Sequence, residues 1–259
     1  MSALLEIVNL SQQFHRHTRW FKQQTIYALQ DVNLTLKQGH TLSLIGESGS
    51  GKSTLARLIA GLNRPTHGTI AINGEQLEYG AHSKRCKLVR MIFQDPNTSL
   101  NPRSRIGQIL EIPLILNTYM TESQRMQRIH STLKLVGLLP EHADYYPQML
   151  SSGQKQRVAL ARALILNPKI IIADESISSL DVSVRSQIIN LLLELQERFG
   201  LSYIIVSNDL GMVSHMSDHI AVMHQGRIVE WAQTNTLFES PAHEVTQRLL
   251  SAYNTEFKK

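Results

Sequence analysis

No stretch of this chain constrains its fold as tightly as Gly46-Glu47-Ser48-Gly49-Ser50-Gly51-Lys52-Ser53-Thr54. It fits the phosphate-loop template G-x-x-x-x-G-K-[ST], in which successive backbone N–H groups wrap a β-phosphate, Lys52 reaches the terminal phosphates and Ser53 supplies a magnesium ligand. Glycine lets the backbone come that close. The flanks suit such a loop. Thr41 to Ile45 is a short apolar run fit for a buried parallel strand, and Thr54 to Ala60 continues as a helix whose positive N-terminal end faces the phosphates. The chain is expected to bind a nucleotide in an α/β fold.

At 259 residues the chain can hold one large domain or two small ones and bury a substantial core. Its longest apolar runs, such as Ile170 to Ala173 and Ile188 to Leu193, fall far short of the roughly 20 residues that span a bilayer. Met1 to Leu10 has no basic start, and Glu6 and Asn9 interrupt its apolar stretch, unlike a signal peptide. The expected place is the cytoplasm. Cys86 is the only cysteine, which leaves no internal disulfide, cysteine zinc site or protein-bound iron–sulfur cluster within one chain. The net charge of +5, from 26 basic and 21 acidic residues, is mostly scattered. Small clusters at Arg16 to Arg19 and Lys84 to Lys87 lack interleaved aromatic residues and read as solvated loops, so no nucleic-acid partner is expected.

Along the chain, Leu4 to Val8 and Ala28 to Leu36 read as short strands, and Thr69 to Ile72 as a strand ending in the Asn73-Gly74 turn. After Gln94 the texture turns helical through about residue 165. Thr121-Glu122-Ser123-Gln124 matches a capping box, and Met126, Ile129, Leu133 and Val136 form an apolar stripe before Gly137. Strand texture returns at Lys169 to Ala173, followed by a helix from Val182 to Phe199 closed by Gly200 and strands at Ser202 to Val206 and His219 to Met223. His224-Gln225-Gly226 reads as a tight turn into Ile228 to Trp231. Ser240-Pro241 is expected to open a last helix through Leu250, before a polar tail.

The apolar strand Ile170 to Ala173 ends in two carboxylates. Asp174 suits a magnesium site, usually reached through water, and Glu175 suits orienting and polarising an attacking water. Upstream, Leu150-Ser151-Ser152-Gly153-Gln154 matches L-S-G-G-Q except at Ser152. With Gln94 in Phe93-Gln94-Asp95-Pro96 and the Ser178-Ser179-Leu180-Asp181 turn, these motifs make the chain resemble an ABC transporter ATPase subunit from end to end.

The resemblance implies one ABC ATPase domain over 1–259, a P-loop NTPase with a RecA-like, mostly parallel sheet core and an N-terminal antiparallel β subdomain. A helical subdomain is inserted at about 96–165, with a short C-terminal helix and tail at about 240–259. It implies the cofactors ATP and Mg2+. It makes Gln94 the sensor touching magnesium and water, and puts Asp181 in a turn that crosses a dimer interface. Ser151, Gly153 and Gln154, at a helix N-terminus, would meet the γ-phosphate of ATP held by an opposite subunit, so that two subunits sandwich two nucleotides.

More specific strings narrow the resemblance. Phe93 to Pro96 with Ser99 to Arg103, Tyr146-Pro147, and Glu239 to His243 with Thr246 to Leu250 are similar to the oligopeptide, dipeptide and nickel importer ATPases. Trp20 to Thr25, Tyr145 to Pro147 and Val222 to Gly226 resemble the F-type ATPase subunits of Sap antimicrobial-peptide transport systems. The implied setting is the cytoplasmic face of the inner membrane. There a second ATPase subunit completes a heterodimer, or a homodimer in isolation, beneath two membrane permease subunits served by a periplasmic solute-binding protein. Residues 95 to 115 and the helices after them would receive the coupling helix of a membrane subunit. An adenine-stacking aromatic is expected upstream of the phosphate loop, with Trp20, Phe21 and Tyr27 competing.

Two residues break the family's pattern. Where the family usually has a histidine contacting the γ-phosphate, after the strand Tyr203 to Ser207, this chain has Asn208. An amide still donates an N–H but carries no charge and moves no proton at neutral pH. Losing one well-placed transition-state donor costs about 2.7 to 4 kcal/mol, so slowed hydrolysis is expected here. Ser152 replaces a glycine, and either crowds the approach to the partner's nucleotide or adds a hydrogen bond. Two alternatives stay open: a nucleotide-binding clamp whose partner does most of the hydrolysis, and a soluble ABC protein acting on ribosomes or DNA. The retained Glu175 speaks against a wholly dead subunit, and the absence of sustained heptads against the soluble class. The cargo, whether peptide, polyamine or metal chelate, is read by other chains, and this sequence does not fix the direction of transport.

Overall fold

A computed structural model describes residues 3–18, 22–93, 99–175 and 181–256, with side chains described except at 15–18, 22–24 and 254–256. The chain divides into two compact units, Met1–Ala81 with Ser202–Lys259, and His82–Leu201.

The first unit opens with β1 (Leu5–Thr18) and β2 (Lys22–Leu36), paired antiparallel and far longer than the short strands that alternation suggests. The reason is a series of register shifts. Between Ile7 and Leu10, Asn9 takes a left-handed φ of 50°, and the buried face changes parity from Leu5 and Ile7 to Leu10 and Gln12. Each extra residue breaks the period-two pattern without ending the strand. Residues 16–18 are therefore strand, not the solvated loop expected there, and Arg19 lies outside the described residues. β3 (Thr41–Ile45) leads to α1 (Lys52–Ala60), and β4 (His67–Ile72) and β5 (Glu75–Gln76) complete a sheet in the order β2-β1-β4-β5. Asn73 and Gly74 both adopt positive φ, 54° and 75°, the pair a tight hairpin turn requires.

The second unit begins with α2 (His82–Leu88), so the Lys84 to Lys87 cluster is helical rather than loop. β6 (Val89–Ile92) pairs parallel with β7 (Ile170–Asp174), Ile92 opposite Ala173. Between them lie α3 (Ile106–Asn117), α4 (Glu122–Leu135) and α5 (Ser152–Leu164), and α6 (Val182–Phe199) follows, ended by Gly200 in the left-handed region. The expected capping box at α4 is present. Thr121 N–H donates to Gln124 Oε1 at 2.8 Å, and Gln124 N–H donates back to Thr121 Oγ1 at 3.4 Å. Of its expected apolar stripe, Ile129, Leu133 and Val136 are buried while Met126 is exposed, one turn too early to reach the core.

The chain then returns to the first unit with β8 (Ser202–Val206), α7 (Leu210–Met216), β9 (His219–His224), β10 (Arg227–Gln233), α8 (Thr234–Glu239) and α9 (Glu244–Glu256). β3 lies between β8 and β9, parallel to both, and all five of its residues are buried. That suits its apolar residues Leu42, Leu44 and Ile45, while the hydroxyl-bearing Thr41 and Ser43 are buried with them. The last helix starts at Glu244, later than Ser240-Pro241 suggested. Glu230 on β10 accepts the N–H groups of Ala242 and His243, both at 2.9 Å, and holds that segment outside the helix.

Candidate functional site

The phosphate loop is fixed from behind by backbone. Gly46 has φ 144° and Gly51 has φ 107°. A Cβ on Gly46 would stand 2.1 Å from the carbonyl oxygen of Met223, and one on Gly51 would stand 2.6 Å from that of Ala28. Neither position admits another residue without moving main chain. Gly49 faces open space, and its requirement is conformational alone, at φ 80°. The turn after β9 braces the loop: Gly226 N–H donates to the Ser50 carbonyl at 3.0 Å, and Gln30 N–H donates to the Gly226 carbonyl at 2.8 Å.

Within the loop, Lys52 is buried, and its Nζ donates to the carbonyls of Gly46 at 2.7 Å and Glu47 at 2.9 Å. Gly51 caps α1 with no side-chain hydrogen bond, and no acidic residue sits in the first turn. That leaves the positive helix end available to an anion. The buried hydroxyl of Ser50 has no hydrogen-bond partner among the described residues. Glycines that bring backbone close, an orphan hydroxyl, a lysine able to swing outward and an uncapped helix end together fit a nucleoside polyphosphate.

Parallel pairing brings the ends of β3 and β8 level, Leu44 opposite Val206, and Ser207 N–H donates to the Leu44 carbonyl at 3.3 Å. Asn208 consequently lies on the wall of a cavity of about 230 Å³ shared with Gly46, Glu47 and Ser48. The other wall is α9, through Leu249, Ala252 and Tyr253. Ser53 and Thr54 form the first turn of α1, half-buried.

Of the three aromatics expected to compete for adenine, Trp20 and Phe21 lie outside the described residues. A fourth, Phe14, went unnoticed in the sequence. Gln12 pairs with Leu29 and Gln13 with Tyr27, so Ala28 is an extra residue on β2. This bulge sends Tyr27 to the face opposite Leu29 and puts Phe14, paired with Ile26, on the Leu29 side. Leu29 Cδ2 would stand 2.9 Å from a Cβ on Gly51. Phe14 is 42 % exposed there. Locating the bulge would have exposed this candidate.

In the second unit, Asp174 ends the buried strand β7 and is itself buried. Glu175 takes φ 50°, a left-handed backbone uncommon for an unbranched acid and of the kind stored at functional positions. Sequence carried no sign of that. Gln94 and Ser178 to Leu180 lie outside the described residues. Asp181 caps α6 without a side-chain hydrogen bond.

The signature opens α5. Ser151 is its N-cap, with the Ser151 N–H donating to Gln154 Oε1 at 2.9 Å and the Gln154 N–H donating to Ser151 Oγ at 3.3 Å. Ser152 is the first helical residue, exposed, with no positive φ, so its backbone does not need glycine. Gly153 abuts α6: a Cβ there would lie 3.1 Å from Val184 Cγ1. The N-termini of α5 and α6 therefore sit side by side, neither with an acidic residue in its first turn. Only the end of α5 is free of a carboxylate, since Asp181 stands at the cap of α6, so the positive end available to an anion is that of α5. Arg157 ties them to the rest of the unit, donating to the Val136 carbonyl at 2.7 Å and to Gln187 Oε1 at 3.2 Å.

The same unit carries a cavity of about 900 Å³ lined by Met91, Phe93, Ile109, Pro113 and Arg162, with Ile112 and Leu116 of α3 exposed at its edge. Burial holds the Arg162 guanidinium below its ordinary value, and Arg90 adds to the effect. Among the described residues no group of three or more His, Cys, Asp or Glu side chains is arranged to hold a metal, and no helix is long and apolar enough to cross a membrane.

Comparison with known proteins agrees with these features. The family described as ABC transporter matches residues 29–178. The chain is 54 % identical over 253 residues to the putrescine export system ATP-binding protein SapF of Escherichia coli strain K12, covering 98 % of this chain and 94 % of that one. It is 44 % identical over 253 residues to the dipeptide transport ATP-binding protein DppF of the same organism, covering 96 % and 76 %. Among solved structures, the ATP-binding cassette MJ0796, a dimer in a post-hydrolysis state bound to ADP and Pi, superposes with a TM-score of 0.77 at 31 % identity, over 89 % of this chain and 98 % of that one.

Proposed function

The chain belongs to the ABC transporter family and is an ATPase of that family; on that premise we propose that it binds and hydrolyses ATP to energise a peptide-type transporter. Its place would be the cytoplasmic face of the inner membrane, with a second ATPase subunit and two permease subunits served by a periplasmic solute-binding protein. The phosphate loop carries this reading, because Gly46 and Gly51 admit no other side chain and its helix end is left uncapped. Residues 1–259 would work as one ABC ATPase domain, the helical segment at about 96–165 and the tail at about 240–259 included.

Bound ATP and Mg2+ supply the phosphoryl bond to be broken and neutralise its developing charge. Lys52 would exchange the carbonyls of Gly46 and Glu47 for terminal phosphate oxygens, while the N–H groups of Glu47 to Thr54 wrap the β-phosphate. Ser53, Asp174 and Gln94 are the residues assigned to the metal. Glu175, held by its left-handed backbone, would polarise the attacking water, and Asn208 would donate an N–H to phosphate. Among the described aromatics, Phe14 rather than Tyr27 would serve as the adenine platform. Ser151, Gly153 and Gln154 would act on the nucleotide of the opposite subunit. The apolar edge of α3 and its cavity suit a cytoplasmic helix of a permease subunit. The names of the relatives, putrescine export for one and dipeptide transport for the other, bracket the cargo between polyamine and peptide; the peptide-type strings in this sequence favour the second.

Asn208 motivates a second reading, a subunit that mainly clamps nucleotide. Mg-ATP turnover by the assembled transporter, comparing wild type with Glu175→Gln and Asn208→His in this chain, separates the two. A large loss with Glu175→Gln supports hydrolysis at this chain's own site. Unchanged turnover with Glu175→Gln, together with a gain from Asn208→His, supports the clamp.

A further inference from the structure

One carboxylate sits in the phosphate loop itself. Glu47 follows Gly46, its carbonyl accepts from Lys52 Nζ at 2.9 Å and from Ser50 N–H at 3.1 Å, and its side chain is exposed. A free negative charge at that point opposes any polyphosphate the loop receives. The structure does not leave it free. Arg248 Nη2 of α9 lies 3.4 Å from Glu47 Oε1, and the His224 ring, at the end of β9, stands with Nδ1 3.6 Å from Glu47 Oε2.

The position of α9 is set independently of that contact. Val245 and Leu250 are buried in a core cluster with Ile45, Leu210 and Val222, with Leu249 and Tyr253 packed against it. At its start, Glu230 accepts the N–H groups of Ala242 and His243 and the Thr246 hydroxyl. Burial alone would push the Glu230 carboxyl up, but these hydrogen bonds, Thr246 foremost, hold it below the ordinary carboxylate value. A helix anchored at its start and along its apolar face thus delivers one guanidinium to the loop, from a segment beyond the family match at 29–178.

We propose that Arg248 is a positioning residue for nucleotide binding, which neutralises Glu47 and draws its carboxylate away from the phosphates. This rests on the reading of Gly46 to Thr54 as the nucleotide site. Arg248→Ala leaves the loop carboxylate with only the His224 ring beside it, Glu47→Gln leaves a guanidinium without its carboxylate, and the double variant removes both charges. The two substitutions should therefore cancel rather than add.

The test is equilibrium binding of Mg-ATP to the full chain at low ionic strength. Arg248→Ala should weaken binding about two- to fivefold, the range of a solvent-exposed ion pair, and the loss should shrink in about 1 M salt. Arg248→Lys should retain affinity, and Glu47→Gln added to Arg248→Ala should restore it. Wild-type affinity in Arg248→Ala overturns the proposal. A loss that Glu47→Gln fails to restore also overturns it, because the helix would then act by packing alone. Lys52→Ala is the separate arm: if it leaves Mg-ATP affinity intact, the nucleotide-site reading fails and this proposal with it.

Discussion

The phosphate loop and the signature segment each open a helix at its N-terminus, and they are built in opposite ways. At α1 the cap is Gly51, no side chain closes the helix end, and Met223 and Ala28 carbonyls press on the loop so closely that only glycine fits. At α5 the cap is Ser151, closed reciprocally with Gln154, and no residue there needs a left-handed backbone. On the proposed roles, the end that would enclose this chain's own anion is shaped by main-chain collision and left uncapped, and the end that would meet an anion of another subunit is exposed and closed by its own side chains.

Substitution should separate the two most sharply at glycine. Gly46→Ala combines a forbidden φ with a backbone collision, and should destabilise the chain by about 3 to 5 kcal/mol in denaturant unfolding. Gly153→Ala meets only the Val184 methyl and should cost less than about 1.5 kcal/mol. Equal costs would erase the contrast. Glu175→Gln should lower turnover of the assembled transporter by about 10²- to 10³-fold with nucleotide affinity preserved. Ser151→Ala should remove about 1 kcal/mol of stability through the lost cap, measured as a shift in thermal midpoint.

The smallest expected effect is at Glu230. Its folded value is depressed, so its contribution is present above the unfolded carboxylate value and disappears as pH falls through the folded one. Acid titration followed by helix signal should show wild type losing stability in that window. Glu230→Gln should start lower and lack that part of the slope.

What sequence revealed divides along the same line. The phosphate loop was legible because its chemistry dictates residue types: glycines at 46 and 51, a lysine at 52 and a hydroxyl at 53. Helices α4 and α6 were legible from a capping box and from Gly200. The long β1–β2 hairpin was hidden because its register shifts scramble alternation, and Phe14 was hidden with it. The brace from Gly226 and the contact between Arg248 and Glu47 join residues far apart in the chain, and no local pattern encodes them. Nor does residue type announce the left-handed backbone at Glu175.

Mg-ATP affinity of the unpartnered full chain, measured for wild type, Lys52→Ala and Ser151→Ala, bears most directly on the difference between the two helix ends. Lys52→Ala should weaken binding by about 10- to 150-fold, as loss of a charged hydrogen-bond donor does, while Ser151→Ala binds like wild type because its phosphate belongs to the other subunit. Comparable losses in both variants would place the signature on this chain's own nucleotide and contradict the division drawn here.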